Sequence, residues 1–212
     1  FVMQQIANLH SQTLALQIRL AALQGVQHNP DSTDVSQYSQ VITLPGSEAC
    51  PPHMRTWVRP VSSTSALAAA VRGWTAEDVV VTCVVLASGT YALNGSALEV
   101  HRPLAVVGDA SGGAVVLDGE GLSRVVRVHP TGALTLGELE VTRGFSRGSS
   151  GGCISSEGSL TLENVTVRGC RLQYHTGAAI HSSSTGALVL RGSTVRDNAA
   201  HHGASGCIGA RS

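Results

Sequence analysis

The residues best suited to binding a ligand are arginines that recur at one place in a repeated pattern. The sequence reads VRGC at residues 167–170 and VRDN at residues 195–198, so Arg168 and Arg196 each follow an equivalent valine. A guanidinium group binds carboxylates and sulfates through paired hydrogen bonds. A row of such groups on a regular surface is therefore a candidate site for an acidic polysaccharide or for the acidic surface of a partner protein.

The segments that follow these two arginines carry further polar and aromatic residues. The predicted partner or glycan contacts are Arg143, Arg147, Arg168, Arg171, Tyr174 and Arg196, with Phe145 beside them. Acidic residues also lie near in the pattern, namely Glu140, Glu163 and Asp197. A solvated face of ion pairs, which adds little binding energy, is the simpler alternative interpretation.

The aspartates do not form the stacked set that polysaccharide cleavage requires. Asp109, Asp118 and Asp197 occupy no equivalent positions in successive repeats. Asp118 lies in the sequence LDG and is expected to close a turn. No segment concentrates the six or more oxygen ligands of a calcium site. We therefore expect no catalytic residues and no enzyme activity from this chain.

Histidines are the remaining candidates for metal chemistry. His175, His181, His201 and His202 lie near the long turns, so two successive repeats could bring three of them together. Their spacing does not define a metal geometry, and solvated loop histidines are the commoner outcome. We predict neither a metal site nor a cofactor.

Composition limits the class of protein. The chain has 212 residues, 42% of them hydrophobic, with 24 glycines and only 3% aromatic residues. A core of small aliphatic side chains suits thin, repetitive β-structure. The 14 basic and 14 acidic residues balance, which argues against a nucleic-acid-binding protein held by phosphate contacts. No segment approaches the apolar length of a membrane span.

A repeat of three short strands predicts the fold. Apolar residues recur at a nearly constant interval, at Leu98, Val126, Ile154, Ile180 and Ile208. The sequences ALTL, SLTL and ALVL, and then valines at 141, 167 and 195, recur in register with them. So short a period has no room for a crossover helix, and stacked coils of a parallel β-solenoid satisfy it. A glycine before each second strand, in TG or EG, is expected to form a tight turn.

The repeats GGCI, GAAI and SGCI, with the ends VRGC and VRDN, resemble two known groups. The segment from about residue 63 is similar to a right-handed parallel β-helix of the pectate-lyase-like superfamily, and its repeats resemble those of polymorphic outer-membrane adhesins. The repeats predict four to five coils, and the resemblance implies a structural or adhesive role in a larger cell-surface or extracellular assembly. The alternative that it implies is a carbohydrate-active lyase or hydrolase whose catalytic coils lie beyond Ser212.

Three regions are predicted along the chain. Residues 1–26 place apolar residues at spacings of three and four, which predicts an amphipathic helix that docks on a partner subunit. Residues 27–62 are rich in Pro, Gly and Ser and are interpreted as a linker. Residues 63–212 form the β-helix, beginning with a short cap helix that buries Leu67, Ala70 and Val71 after Ser63 or Thr64.

Cysteines and glycosylation sequons bear on location. Cys153 and Cys207 are equivalent but two coils apart, roughly 10 Å, which is too far for a disulfide. We interpret both as small buried residues, and leave a Cys50 to Cys83 disulfide open. The sequons at Asn94 and Asn164 would accept glycans in a secretory pathway. Together with the resemblance, they favour an extracellular or cell-surface protein.

Overall fold

Parallel strands stacked in columns form the body of this protein. A computed structural model describes residues 50–51, 58–72, 82–109, 111–183, 186–201 and 207–210. The strands assigned to them form four sheets in which every pairing is parallel, and the sheets stack as a β-solenoid of about five turns. This confirms the all-β solenoid predicted from the repeat. The predicted docking helix at residues 1–26 lies outside the described residues.

The first sheet, sheet A, has six strands in this spatial order: β1 (Val58–Val61), β2 (Cys83–Leu86), β5 (Pro103–Gly108), β8 (Ala133–Gly137), β12 (Ser159–Glu163) and β16 (Leu188–Arg191). Sheet B contains β3 (Gly89–Ala92), β6 (Val115–Asp118), β9 (Glu140–Thr142), β13 (Thr166–Arg168) and β17 (Thr194–Arg196). Sheet C contains β4 (Leu98–Val100), β7 (Val126–Val128), β11 (Ile154–Ser156), β15 (Ile180–Ser182) and β19 (Ile208–Ala210).

A fourth sheet was not predicted. The long turns that follow sheet B pair as β10 (Phe145–Arg147), β14 (Arg171–Gln173) and β18 (Ala199–His201). We call these three strands the turn sheet. Only three strands were predicted in each repeat because the amino-acid sequences of these turns differ. Parallel strands pair through backbone groups, however, and every residue except proline can contribute both of them. The turn surface is therefore an ordered sheet.

Apolar side chains stack in columns inside the coils. In sheet C, Ile154 pairs in register with Val126 on one side and with Ile180 on the other. In sheet A, Leu162 pairs with Leu136 and Leu190. Both Ile154 and Leu162 are completely buried. Because one coil leaves its backbone and its apolar side chains exposed, each coil depends on its neighbours for hydrogen bonds and for burial.

The glycines before the second strands are required for close stacking. A Cβ atom on Gly158 would lie 2.1 Å from the carbonyl oxygen of Gly132, and one on Gly186 would lie 1.9 Å from that of Gly158. None of these three has a positive φ. Glycine was predicted at these positions for the sake of a tight turn. The turn is present, since the Gly132 amide donates to the His129 carbonyl at 2.8 Å, and the structure shows in addition that the neighbouring coil leaves no room for a side chain.

Helix α1 (Thr64–Arg72) covers part of the first coil. Its buried residues are Leu67, Ala70 and Val71, as predicted, and they belong to the main core cluster. Ser63 caps the helix, because its hydroxyl accepts a hydrogen bond from the amide of Ala66 at 3.3 Å. The described part of the chain has no helix with the length and apolarity of a transmembrane segment.

A disulfide ties residue 50 to the solenoid. Cys50 and Cys83 are bonded, with a Cα–Cα distance of 6.2 Å. They form a second buried cluster with Val85, Ala105 and Val107, separate from the main core. Strand β1 also extends sheet A into the segment interpreted as linker, through its pairing with β2. This part of the linker segment therefore belongs to the solenoid.

Candidate functional site

The turn sheet forms the candidate binding surface. In each of these three coils, the residue that follows the sheet B strand has a positive φ and turns the chain towards the turn sheet. These residues are Arg143 at 51°, Gly169 at 65° and Asp197 at 56°. The turn strands then run across the edge of the solenoid. Two of their central residues, Ser146 and Leu172, are buried, which leaves the flanking side chains nearer the surface. The fold thus repeats one platform in three successive coils.

A groove of about 510 Å³ lies along this platform. Its walls include Glu120, Arg143, Phe145, Arg171, Gln173 and His201. The register places Phe145 directly beside Arg171, so an aromatic residue and an arginine lie on adjacent strands. Charged, amide and aromatic side chains around one groove are the groups that bind polar, extended ligands. The groove unites residues from successive coils.

Arg143 is committed to an ion pair at one side of the groove. Its Nε donates hydrogen bonds to both carboxylate oxygens of Asp118, at 2.9 and 3.1 Å, and its Nη2 also donates to Oδ2. The Glu120 amide donates to Asp118 at 2.8 Å, which confirms the predicted turn-closing role. Burial opposes ionisation of Asp118, but these hydrogen bonds outweigh it and hold its pKa below the ordinary value. The carboxylate is held as an anion.

Arg168 and Arg196 stack as predicted. They are register partners on β13 and β17. Arg168 forms an ion pair with Glu140 at 2.7 Å, and the nearby carboxylate raises the pKa of Arg168 above the ordinary value. Arg196 pairs with its neighbour Asp197. The alternative of an ion-paired face therefore applies to these two arginines.

Arg147 and Arg171 differ from the other predicted arginines. Both side chains are exposed, and neither forms an ion pair with any residue that the structure describes. They lie on adjacent strands of the turn sheet, at opposite ends of the paired segment. Tyr174 follows the second strand directly and is 53% exposed. Of the predicted arginine contacts, these two are the ones whose guanidinium groups have no ion pair among the described residues.

The predicted histidines are divided between two places. His175 and His181 border a second groove of about 480 Å³, together with Arg124, Arg127 and Glu157. His201 lies at the first groove instead. His202 is outside the described residues. The hypothetical cluster of three is therefore not assembled among the histidines that the structure describes.

A different pair of histidines was not predicted from the sequence. The rings of His101 and His129 stack with their centroids 3.8 Å apart and their planes 16° apart. The Nε2 atom of His129 lies 2.6 Å from Oε2 of Glu99. The signal was present in the sequence, because these histidines recur at the same interval as Leu98 and Val126. Equivalent positions in successive coils lie one above the other.

Cys153 and Cys170 form a second disulfide, with a Cα–Cα distance of 5.4 Å. Cys153 is completely buried, as predicted, but it is a disulfide cysteine and not merely a small buried residue. The prediction compared equivalent positions of different coils, whereas Cys153 and Cys170 precede β11 and follow β13 of one and the same coil. Cys207, which was also expected to be buried, is an exposed free cysteine.

The two sequon asparagines lie at exposed corners. Both have left-handed backbone conformations, with φ of 51° at Asn94 and 54° at Asn164. The Asn164 side-chain amide donates a hydrogen bond to Glu138 at 2.5 Å. An enzyme that attaches a glycan needs an accessible loop, and both positions meet that requirement. Their occupancy stays a prediction.

Comparisons with protein-family models, with curated proteins and with solved structures found no significant match to this chain. The solenoid architecture consequently rests on the strand pairing itself.

Proposed function

We propose that this chain is a non-enzymatic, structural or adhesive β-solenoid segment of an extracellular or cell-surface assembly, and that the turn sheet binds acidic glycans. The observation that carries the proposal is the pair Arg147 and Arg171, exposed on adjacent strands without ion-pair partners among the described residues. Phe145 lies on the strand of Arg147 and is the register partner of Arg171.

The chemistry of this surface matches sulfated or uronic polysaccharides. Each of the two exposed guanidinium groups can hold a carboxylate or a sulfate through paired hydrogen bonds. Gln173 and His201, which border the groove, supply further groups that can bond to hydroxyls. Strand spacing of about 4.8 Å gives the platform a regular period along the stack, which suits a ligand with repeating charges.

An oxidising location is supported by the cysteines. Four of the five cysteines are paired in two disulfides. Disulfides persist in secreted and surface proteins and are rare in the cytosol. The exposed sequons at Asn94 and Asn164 agree with such a location. A protein with these features would meet extracellular glycans directly.

The proposed family is that of the right-handed parallel β-helices similar to pectate lyases, with repeats like those of outer-membrane adhesins. A second candidate function, carbohydrate cleavage, is favoured by Glu120, a carboxylate at the groove. The role of Asp118 argues for the non-enzymatic alternative, because Arg143 and the Glu120 amide hold it ionised and engaged. A general acid must carry a proton near the working pH.

Retention on immobilised heparin and on polygalacturonate tests the proposed binding. We expect the wild-type chain to be retained at low salt and eluted as salt rises, because charge contacts at a surface are screened. Arg147→Ala combined with Arg171→Ala should abolish retention. The matched control is Arg127→Ala combined with Arg191→Ala, since those arginines are paired with Glu157 and Glu163. Equal retention of both double variants would refute the assignment of glycan binding to Arg147 and Arg171.

The alternative function has its own test. Release of unsaturated or reducing ends from polygalacturonate would support an enzyme.

A further inference from the structure

His101 and His129 occupy one corner of two consecutive coils. Strands β4 and β7 pair Leu98 with Val126 and Val100 with Val128, so each histidine is the next residue beyond its strand. The backbone of both is anchored. The His129 amide donates to the Val100 carbonyl at 2.9 Å, and the Thr131 hydroxyl donates to the His101 carbonyl at 2.7 Å. Stacking of the coils therefore holds the two imidazoles together.

Glu99 supplies a third ligand atom. It is the exposed central residue of β4 and reaches diagonally to the next coil, where its Oε2 is 2.6 Å from Nε2 of His129. One ligand atom from each of Glu99, His101 and His129 lies within 4.8 Å of the others. Among the residues that the structure describes, this is the one group of three such ligands.

The donor atoms at this corner suit one divalent cation. Two imidazole rings stacked 3.8 Å apart and one carboxylate oxygen converge on the same place, and a single ion can bind both nitrogens and that oxygen. Two arginines lie nearby. Arg127, the register partner of Glu99, is paired with Glu157 at 3.1 Å, and Arg124 donates to the Gly151 carbonyl at 2.9 Å. Their positive charge disfavours a weakly held cation, so the ion must gain its affinity from the two nitrogen ligands.

We propose that Glu99, His101 and His129 bind a Zn²⁺ ion that bridges two consecutive coils. Zn²⁺ accepts imidazole nitrogen and carboxylate oxygen at about 2.0–2.2 Å and prefers four tetrahedral ligands, the fourth of which would be water here. The lone pairs of stacked rings lie in parallel planes, so one ring must turn for both to reach the same ion. His101 can make this rotation because its side chain is exposed and its backbone is the part that is anchored.

The site would act as a staple between coils. Its ligands come from two successive turns of the solenoid, and these come together only in the folded chain. A ligand that binds only the native state raises the stability of that state. Zinc should therefore raise the melting temperature. Mg²⁺ and Ca²⁺, which prefer oxygen ligands, should not.

The proposal is tested by titrating the whole chain with ZnCl₂ in a calorimeter, and with CoCl₂ while the visible absorption of tetrahedral Co²⁺ is recorded. The single variants His101→Ala, His129→Ala and Glu99→Gln each remove one ligand. Removing a residue that only hydrogen-bonds to a metal ligand typically weakens metal binding about 10- to 100-fold. Removing a ligand itself should therefore weaken zinc binding at least about 10-fold. The control is His175→Ala combined with His201→Ala, which removes two histidines away from this corner.

We expect one equivalent of zinc on the wild type and on the control, with the Co²⁺ bands and the rise in melting temperature lost in the three site variants. Absence of zinc binding by the wild type would overturn the proposal. Equal affinity of the control and of the site variants would overturn it too, because the metal would then be held elsewhere. Circular dichroism without zinc shows whether each variant is folded. If His129→Ala does not fold, the variants His101→Ala and Glu99→Gln still test the proposal, because both of those positions are exposed.

Discussion

Cys170 lies opposite Cys153 across the end of one coil, and the disulfide between them closes a loop with a sequence separation of 17 residues. Both cysteines are completely buried. Cys153 directly precedes β11 of sheet C, and Cys170 lies two residues after β13 of sheet B. The disulfide therefore links two sheets within one turn of the solenoid. It therefore fixes the width of that coil at the point where the turn sheet departs.

Removal of this disulfide should destabilise the protein. For Cys153→Ala combined with Cys170→Ala we expect the free energy of unfolding to fall by about 3 kcal/mol, because a loop of this length is no longer closed in the unfolded chain. Urea denaturation followed by circular dichroism measures the change. The control is Cys207→Ala, at the exposed free cysteine, which should change little. Equal effects of the two substitutions would show that the disulfide adds nothing.

Two leucines of one column should contribute unequally to the free energy of unfolding. Leu162 is completely buried, whereas Leu190, its partner in the next coil, is 37% exposed. Leu162→Ala should cost about 2–5 kcal/mol through lost burial and the cavity that remains. Leu190→Ala should cost less, since part of its side chain already contacts solvent. Denaturant midpoints of the two variants test this, and the idea is wrong if Leu190→Ala destabilises as much as Leu162→Ala.

A methyl group at Gly158 should disturb the stack. The added Cβ would lie 2.1 Å from the Gly132 carbonyl oxygen, a backbone atom that cannot move without separating the coils. We expect Gly158→Ala to lower the melting temperature strongly. At Gly112 the nearest atom is the Ser88 hydroxyl at 3.1 Å, which can rotate away. Gly112→Ala is consequently the control, and a similar melting temperature for both variants would contradict the steric argument.

Asp118 should make stability depend on acid pH. Its folded pKa is below the ordinary value of 3.8, so the ion pair with Arg143 stabilises the fold fully above that value. This contribution is lost as the pH falls from about 3.8 through the lower folded pKa. Unfolding free energies measured across this range should decline more steeply for the wild type than for Asp118→Asn. Arg143→Gln removes the partner of this carboxylate and should lessen the decline as Asp118→Asn does, so a wild-type slope in both variants would contradict the prediction.

The ion-pair partners of the arginines show why part of the binding surface could not be predicted. Arg168 and Arg196 were assigned to one column because both follow a valine of the repeat, and their register is as expected. Which arginines remain without an ion-pair partner depends on side chains from other coils, such as Asp118 for Arg143 and Glu140 for Arg168. These partners lie a full coil away along the chain, and no local pattern relates them.

The solenoid, the register of its strands and its short first helix could all be predicted from the spacing of apolar residues. A nearly constant period of apolar positions can bury those side chains only if successive coils stack in register, as Leu98 and Val126 do. The structure was needed to find the Cys153–Cys170 disulfide, the turn sheet and the contact of Glu99 with His129, whereas the common interval of His101 and His129 already places one histidine above the other. Equivalent positions stack from coil to coil, so the period of the sequence predicts their contacts. Contacts between positions that are not equivalent depend on the course of each turn, and no repeated residue type marks them.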